Sequence, residues 1–143
     1  MEKDYNLERF VKMQEIDYKD ALSEIKNGHK RSHWIWYIFP QLKGLGHSFN
    51  SDYFGIDGIE EAKQYMNNEY LRHNMLEICG ELYKLNDSVD NIFGHPDNLK
   101  VNSSMTLFEC STPEEKIFGE IIDKFYDGKR DEKTLSMIRK NNH

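Results

Sequence analysis

Two stretches of the chain concentrate side chains that could do chemistry. In Lys30-Arg31-Ser32-His33-Trp34, two cations, a hydroxyl and an imidazole stand beside an indole. Cations fix a phosphate or carboxylate, a hydroxyl adds a hydrogen-bond donor, and an aromatic face can stack a ring. Histidine is the side chain that ordinarily titrates near neutrality, which makes His33 the candidate for proton transfer. The competing structural reading places Trp34 and Trp36 in the core, leaves Lys30-Arg31 as a solvated turn, and makes His33 a satisfied structural group.

The second stretch begins at Asp97. If Asp97 to about Glu109 is one helix, successive side chains turn by about 100°. Leu99, Val101, Met105, Leu107 and Phe108 then define an apolar arc, and Lys100, Ser103 and Ser104 fall inside it. Asn102 and Thr106 fall opposite. A lysine turned toward a core costs several kcal/mol unless it is paired. Asp97, one turn earlier, is its first internal partner. A bound anion is the other, with Ser103 and Ser104 donating. The alternative is that the serines bond back to their own helix and Lys100 snorkels to water.

Gln41 is an amide beside the rigid Pro40, able to read a base edge or to bond the loop backbone. Gly44-Leu45-Gly46-His47-Ser48 could let backbone N–H groups approach a phosphate. It matches neither a Walker loop nor a dinucleotide fingerprint. The histidines His29, His33, His47, His73, His95 and His143 form no HxxxH or HxH pair with a convincing helical context, and no GxSxG elbow is present. Metal and serine-nucleophile chemistry are therefore disfavoured, and no metal ligands are assigned.

The elements that must position these groups read as helices. Leu7, Phe10, Val11 and Gln14, continued by Tyr18, Ala21, Leu22 and Ile25, give one helix, with Gly28 as a left-handed stop. A short helix or turn around Trp34–Ile38 leads into an ordered loop holding Pro40, Gly44 and Gly46. Asp57 to Glu60 has capping-box spacing and starts a helix to about Asn67. Helices follow from Tyr70 to Leu85, from Ser88 to Phe93 before Gly94, and from Asp97 to about Glu109. Thr112-Pro113-Glu114-Glu115 signals a further start, and Gly128 follows that helix's end. A weaker helix runs from Asp131 to about Lys140. No alternating run of strand length appears. The expectation is an all-α single domain spanning residues 1–143, with about six to seven helices and an ordered central loop.

Composition narrows the classes. The chain has 143 residues, 38% hydrophobic and 13% aromatic, so it is a globular domain rather than a disordered chain. No apolar run is long enough for a membrane helix. Met1-Glu2-Lys3-Asp4 opens no signal stretch, and Cys79 and Cys110 have no metal-ligand spacing; together these point to a cytoplasmic protein with free thiols. The formal net charge of -6 argues against a general nucleic-acid coat. The acids are unevenly placed, however. Between Glu24 and Asp52 there is none, while Lys26, Lys30, Arg31 and Lys43 lie there with three histidines. One small anion held in one place is compatible with that distribution, as is a basic loop that merely balances acidic helices.

The run from Lys30 to Gly46 and the run from Ile92 to Phe108 together resemble the signature of a family of small bacterial and fungal proteins catalogued as domain of unknown function 1810. Ser48 with Ser51 and Phe54-Gly55-Ile56, Glu61-Ala62 with Tyr65, and blocks near both ends extend the resemblance over nearly the whole chain. The calpastatin label sometimes attached to this family does not suit a globular composition. The resemblance implies a mainly helical domain and no established activity, cofactor or reaction. The family pattern stresses Lys30, Ser32, His33, Gln41, Asp97, Lys100, Ser103 and Ser104. This chain departs from it at Asn68-Glu69, where His-Pro is common, and at Asn74 and Asn102, where arginine is common.

Three functions follow as expectations. The first is a pocket for a small anionic ligand, such as a nucleotide, nucleotide-sugar or phosphorylated metabolite. Lys30, Ser32, Trp34, Gln41, Asp97, Lys100, Ser103 and Ser104 would line it, and His33 would be the catalytic group if any reaction occurs. The second is a protein-interaction module built on a Trp34/Trp36/Phe39 patch. The third, and least favoured, is RNA binding through the basic segment.

Overall fold

The computed structural model describes residues 3–141, so Met1, Glu2, Asn142 and His143 lie outside it. Among the described residues the chain is all-helical, with nine helices rather than six or seven. They are α1 (Glu8–Lys26), α2 (Ile35–Ile38), α3 (Phe49–Tyr53), α4 (Ile59–Asn67), α5 (Glu69–Tyr83), α6 (Val89–Phe93), α7 (Asp97–Ser111), α8 (Ile117–Phe125) and α9 (Glu132–Asn141).

Most ends lie where local chemistry places them. Gly28, Gly94 and Gly128 have φ of 83°, 76° and 75°, the left-handed region that ends helices at low steric cost. The Ser88 hydroxyl accepts from Asn91 N at 3.1 Å to cap α6. The Asn68 side chain accepts from Leu71 N at 3.1 Å to cap α5, so the asparagine at this variable position has a structural use. Two start signals are displaced. The capping contact before α4 comes from Glu61, whose carboxylate accepts from Asp57 N at 2.7 Å, and not from Glu60. Thr112 to Glu115 forms a turn, closed by Glu115 N donating to Thr112 O at 3.1 Å, and the helix itself begins at Ile117.

Helix α3 had no signature to find. Its large apolar residues face outward, Phe49 at 76% and Tyr53 at 46% exposure, so no buried stripe marks it. Its cap, Ser48 Oγ accepting from Ser51 N, and the isolated parallel bridge Leu42–Ile56 order the central segment. Two backbone hydrogen bonds make that bridge: Lys43 N to Ile56 O at 2.8 Å and Ile56 N to Gln41 O at 2.9 Å.

Helix α7 is the centre of the fold. It packs against α2, α4, α6, α8 and α9, while α1 packs on α2 and α5, and α5 on α8. Its middle, Ser103 to Phe108, is therefore buried all round, and the single apolar arc expected from the sequence is not how it is used. Leu99, the zero direction of that arc, is 54% exposed, whereas Thr106 on the supposedly open side is fully buried. Thr106 takes its place by accepting from Asp131 N at 3.0 Å, which ties α9 to α7.

The aromatic patch expected at Trp34, Trp36 and Phe39 is not a surface. Trp34 and Phe39 are each 1% exposed, and both meet Phe93 edge-on, at 6.5 and 5.8 Å between ring centroids. Edge-to-face packing of this kind is a core arrangement. Only Trp36 is half-buried. Among the described residues no helix is long and apolar enough to cross a membrane, and no group of three His, Cys, Asp or Glu side chains is placed to hold a metal ion.

Candidate functional site

The segment after α1 turns at Gly28 and is then gathered by one carboxylate that the sequence did not single out. Glu24 Oε1 accepts from the backbone N–H of Arg31 at 2.6 Å and of Ser32 at 2.9 Å, and from the Trp34 indole N–H at 2.9 Å; Oε2 accepts from the Ser32 hydroxyl at 2.7 Å. Partial burial pushes the Glu24 carboxyl up, but the hydrogen bonds from Ser32, Arg31 and Trp34 outweigh it and lower it from 4.5 to about 2. Ser32 and Trp34 are thus held by Glu24 and take no part in lining a cavity. A signal was present: Glu24 is the last acid before the acid-free stretch and faces its first N–H groups.

Lys30 leaves this loop and reaches across to α7. Its ammonium lies 2.8 Å from Asp97 Oδ2, donates to Ser32 O at 2.5 Å, and sits 5.1 Å from the Trp34 ring centroid. Asp97 Oδ1 accepts from Lys100 Nζ at 3.2 Å. Lys100 Nζ in turn stands 4.1 Å from the Trp36 centroid, well within cation–π range. The two long sequence blocks are therefore in contact, and Asp97 is the residue that joins them. Two ammonium groups share one carboxylate, leaving one positive charge in excess.

Beside Lys100 lies a shallow notch of about 220 Å³. It is lined by Trp36 from α2, by Gln41, Leu45 and Gly46 from the loop, by Pro96, Leu99, Lys100 and Ser103 from the α7 side, and by Asp131 and Lys133 near α9. Backbone geometry sets its loop wall. Gly44 has a φ of 99°, and a Cβ on Gly46 would meet Ser51 Oγ at 2.8 Å, so side chains are excluded at both positions. Of the expected residues, Gln41, Lys100 and Ser103 line the notch, with Lys30 and Asp97 directly behind. The Ser103 hydroxyl donates to Leu99 O at 3.2 Å, bonding back to its own helix, so its one hydrogen is not available to an anion as the sequence reading expected. Ser104 is fully buried, its hydroxyl has no partner, and it does not reach the notch. His33 is exposed and is not a lining residue. Trp36 supplies the aromatic wall that Trp34 does not.

The two family-pattern arginine positions lie elsewhere. Asn74 Nδ2 donates to Gln14 Oε1 at 3.0 Å in a buried network, and Asn102 Nδ2 donates to Lys129 O at 3.0 Å. Asparagine there removes no cation from the notch.

A larger cavity, about 560 Å³, lies between the N-terminal segment and α3. Its most cationic group is already committed. All five Arg9 donors are used, to Tyr5 O, Asn6 O, Tyr53 O, Gly55 O and, at 2.7 Å, Glu61 Oε2. Size alone does not make it the better site: Arg9 is spent, and Lys43, which also lines it, is outnumbered there by Asp4, Asp52, Asp57 and Glu61.

These features define a class: a small all-helical domain whose central helix carries a carboxylate-linked lysine pair at the edge of a notch. The chain belongs to the family described as "Protein of unknown function (DUF1810)", whose model matches residues 4–138. It is similar to the crystal structure of the conserved hypothetical protein Rv1873 from Mycobacterium tuberculosis. That protein is 38% identical in sequence, with a TM-score of 0.93 over 94% of this chain and 97% of the other. No curated protein matches the chain.

Proposed function

We propose that the notch beside Lys100 binds a small anionic ligand through a phosphate group. One observation carries this reading. Lys30 and Lys100 share a single carboxylate, and the one that keeps solvent access, Lys100, lines a cavity. The excess positive charge is held over an indole, while Asp131 and Lys133 near the rim offset one another. The volume limits the ligand. At about 220 Å³ the notch is below the ~300 Å³ from which drug-sized ligands become enclosed. It takes a phosphorylated metabolite or a mononucleotide that is only partly enclosed, not a whole nucleotide-sugar. The role is binding: His33 is off the notch, so no proton-transfer residue is assigned.

A thermal-shift screen against inorganic phosphate, sugar phosphates and nucleoside mono- and diphosphates tests this. A ligand at a hundred times its Kd stabilises by about 2.7 kcal/mol, and the expected shift is absent in Lys100→Ala. A flat response to the whole panel, or an equal shift in Lys100→Ala, overturns the reading.

A further inference from the structure

Among the described residues three polar atoms are sealed from solvent without a hydrogen-bond partner, Ser51 Oγ, Asn98 Oδ1 and Ser104 Oγ, and none of these residues lines the notch. Gln41 is 8% exposed, lines the notch, and its carboxamide makes no hydrogen bond to any described residue. Its backbone is fixed by Ile56 N donating to Gln41 O at 2.9 Å, so the side chain is presented from a pinned position. Its polar atoms are not among those sealed from solvent, so the amide is open to the notch. It offers a donor and an acceptor side by side, the pattern that pairs with the edge of a nucleobase. Trp36 stands on the same wall, and an indole is a surface on which such a ring stacks.

We infer that Gln41 is the specificity-determining residue of the notch, and that the phosphate held near Lys100 belongs to a nucleotide whose base edge bonds the Gln41 carboxamide beside Trp36. This rests on the anion reading above and goes beyond it by naming the organic part of the ligand. A bare phosphate or a sugar phosphate leaves the amide unpaired. A site built around a buried hydrogen-bonding group rejects the analogue that lacks the matching group.

Isothermal titration of the full chain with AMP, UMP and ribose 5-phosphate tests it. At least one nucleotide is expected to bind ten-fold or more tighter than ribose 5-phosphate. Gln41→Met, which keeps side-chain volume but removes both polar groups, is expected to bring the nucleotide down to the sugar-phosphate level while leaving ribose 5-phosphate unchanged. If ribose 5-phosphate and both nucleotides bind equally, and Lys100→Ala loses all three, the anion site stands and the base-reading role of Gln41 falls. If none of the three binds, the anion site itself falls and takes this role with it. Should Gln41→Met not fold, Trp36→Phe serves instead. Nucleotide quenching of tryptophan fluorescence is expected in the wild type and absent in that variant, because Trp34 is buried; quenching that survives overturns the assignment.

Discussion

The molecule contains the same pairing twice, a lysine over a tryptophan, and one aspartate joins the two. Lys30 lies over Trp34 and Lys100 over Trp36, with Asp97 between them. The surroundings separate their roles. The Lys30 side chain is 7% exposed, and its tryptophan is locked by the Glu24 carboxylate. The Lys100 side chain is 22% exposed, and its tryptophan borders a notch. The first pair is fully used in holding the loop after α1 against α7. The second has capacity left over, and the unpaired Gln41 amide lies beside it. Residue type did not distinguish these pairs, since both are Lys and Trp in an acid-free or helix-start context. Hydrogen-bond saturation did.

Removing the hub of the closed pair should have the largest effect. Glu24→Ala leaves the Trp34 indole N–H and two loop N–H groups without their acceptor. It should cost about 3 kcal/mol in urea unfolding, since each buried group left unpaired costs about 1–3 kcal/mol. A loss under about 1 kcal/mol would mean that water replaces Glu24 and that the loop is not closed.

The contrast itself is tested by matched truncations. Lys30→Ala breaks a mostly buried ion pair and should cost about 2 kcal/mol, below the ~3–5 kcal/mol of a fully buried one because Asp97 retains Lys100. Lys100→Ala should cost under about 1 kcal/mol, as a partly exposed pair does. Equal losses, measured side by side, would erase the distinction between a structural and an available lysine.

A smaller effect follows from acid. The Glu24 carboxyl is lowered in the folded chain, so its charged form stabilises the fold. That contribution is complete above the ordinary value of 4.5 and is lost as pH falls from there toward about 2. A shift of this size corresponds to about 3 kcal/mol before solvent screening and about 1–2 kcal/mol after it. The stability gap between wild type and Glu24→Gln should therefore be open at pH 6 and narrow by pH 2.5. A gap that does not change with pH would show that the carboxylate's charge is not what holds the loop.

Much of the fold was legible because its determinants are local. Gly28, Gly94 and Gly128 mark helix ends through their own backbone preference, and the Ser88 cap acts within three residues. Helix α3 was not legible, since its apolar residues are exposed and its burial is carried by Ser51. The site was legible in its parts. Gln41, Lys100 and Ser103 come together at the notch with Lys30 and Asp97 paired on the Lys100 side of it, while Trp36 and not Trp34 borders it. Glu24 was missed because its partners are seven to ten residues away around a turn, beyond any helical spacing.

The sequence by itself determined an all-helical chain, most of its helix boundaries, and the two blocks that carry its polar chemistry. Periodicity, caps and glycine conformations operate within a few residues, so they are written in order along the chain. Only the tertiary structure decided that Asp97 would bridge Lys30 and Lys100, which lie far apart in sequence. It alone decided that the middle of α7 would be buried on every side, and that Gln41 would be left without a protein partner at a notch. Those outcomes depend on which groups the packing of distant helices leaves room for, and spacing within one helix does not contain that information.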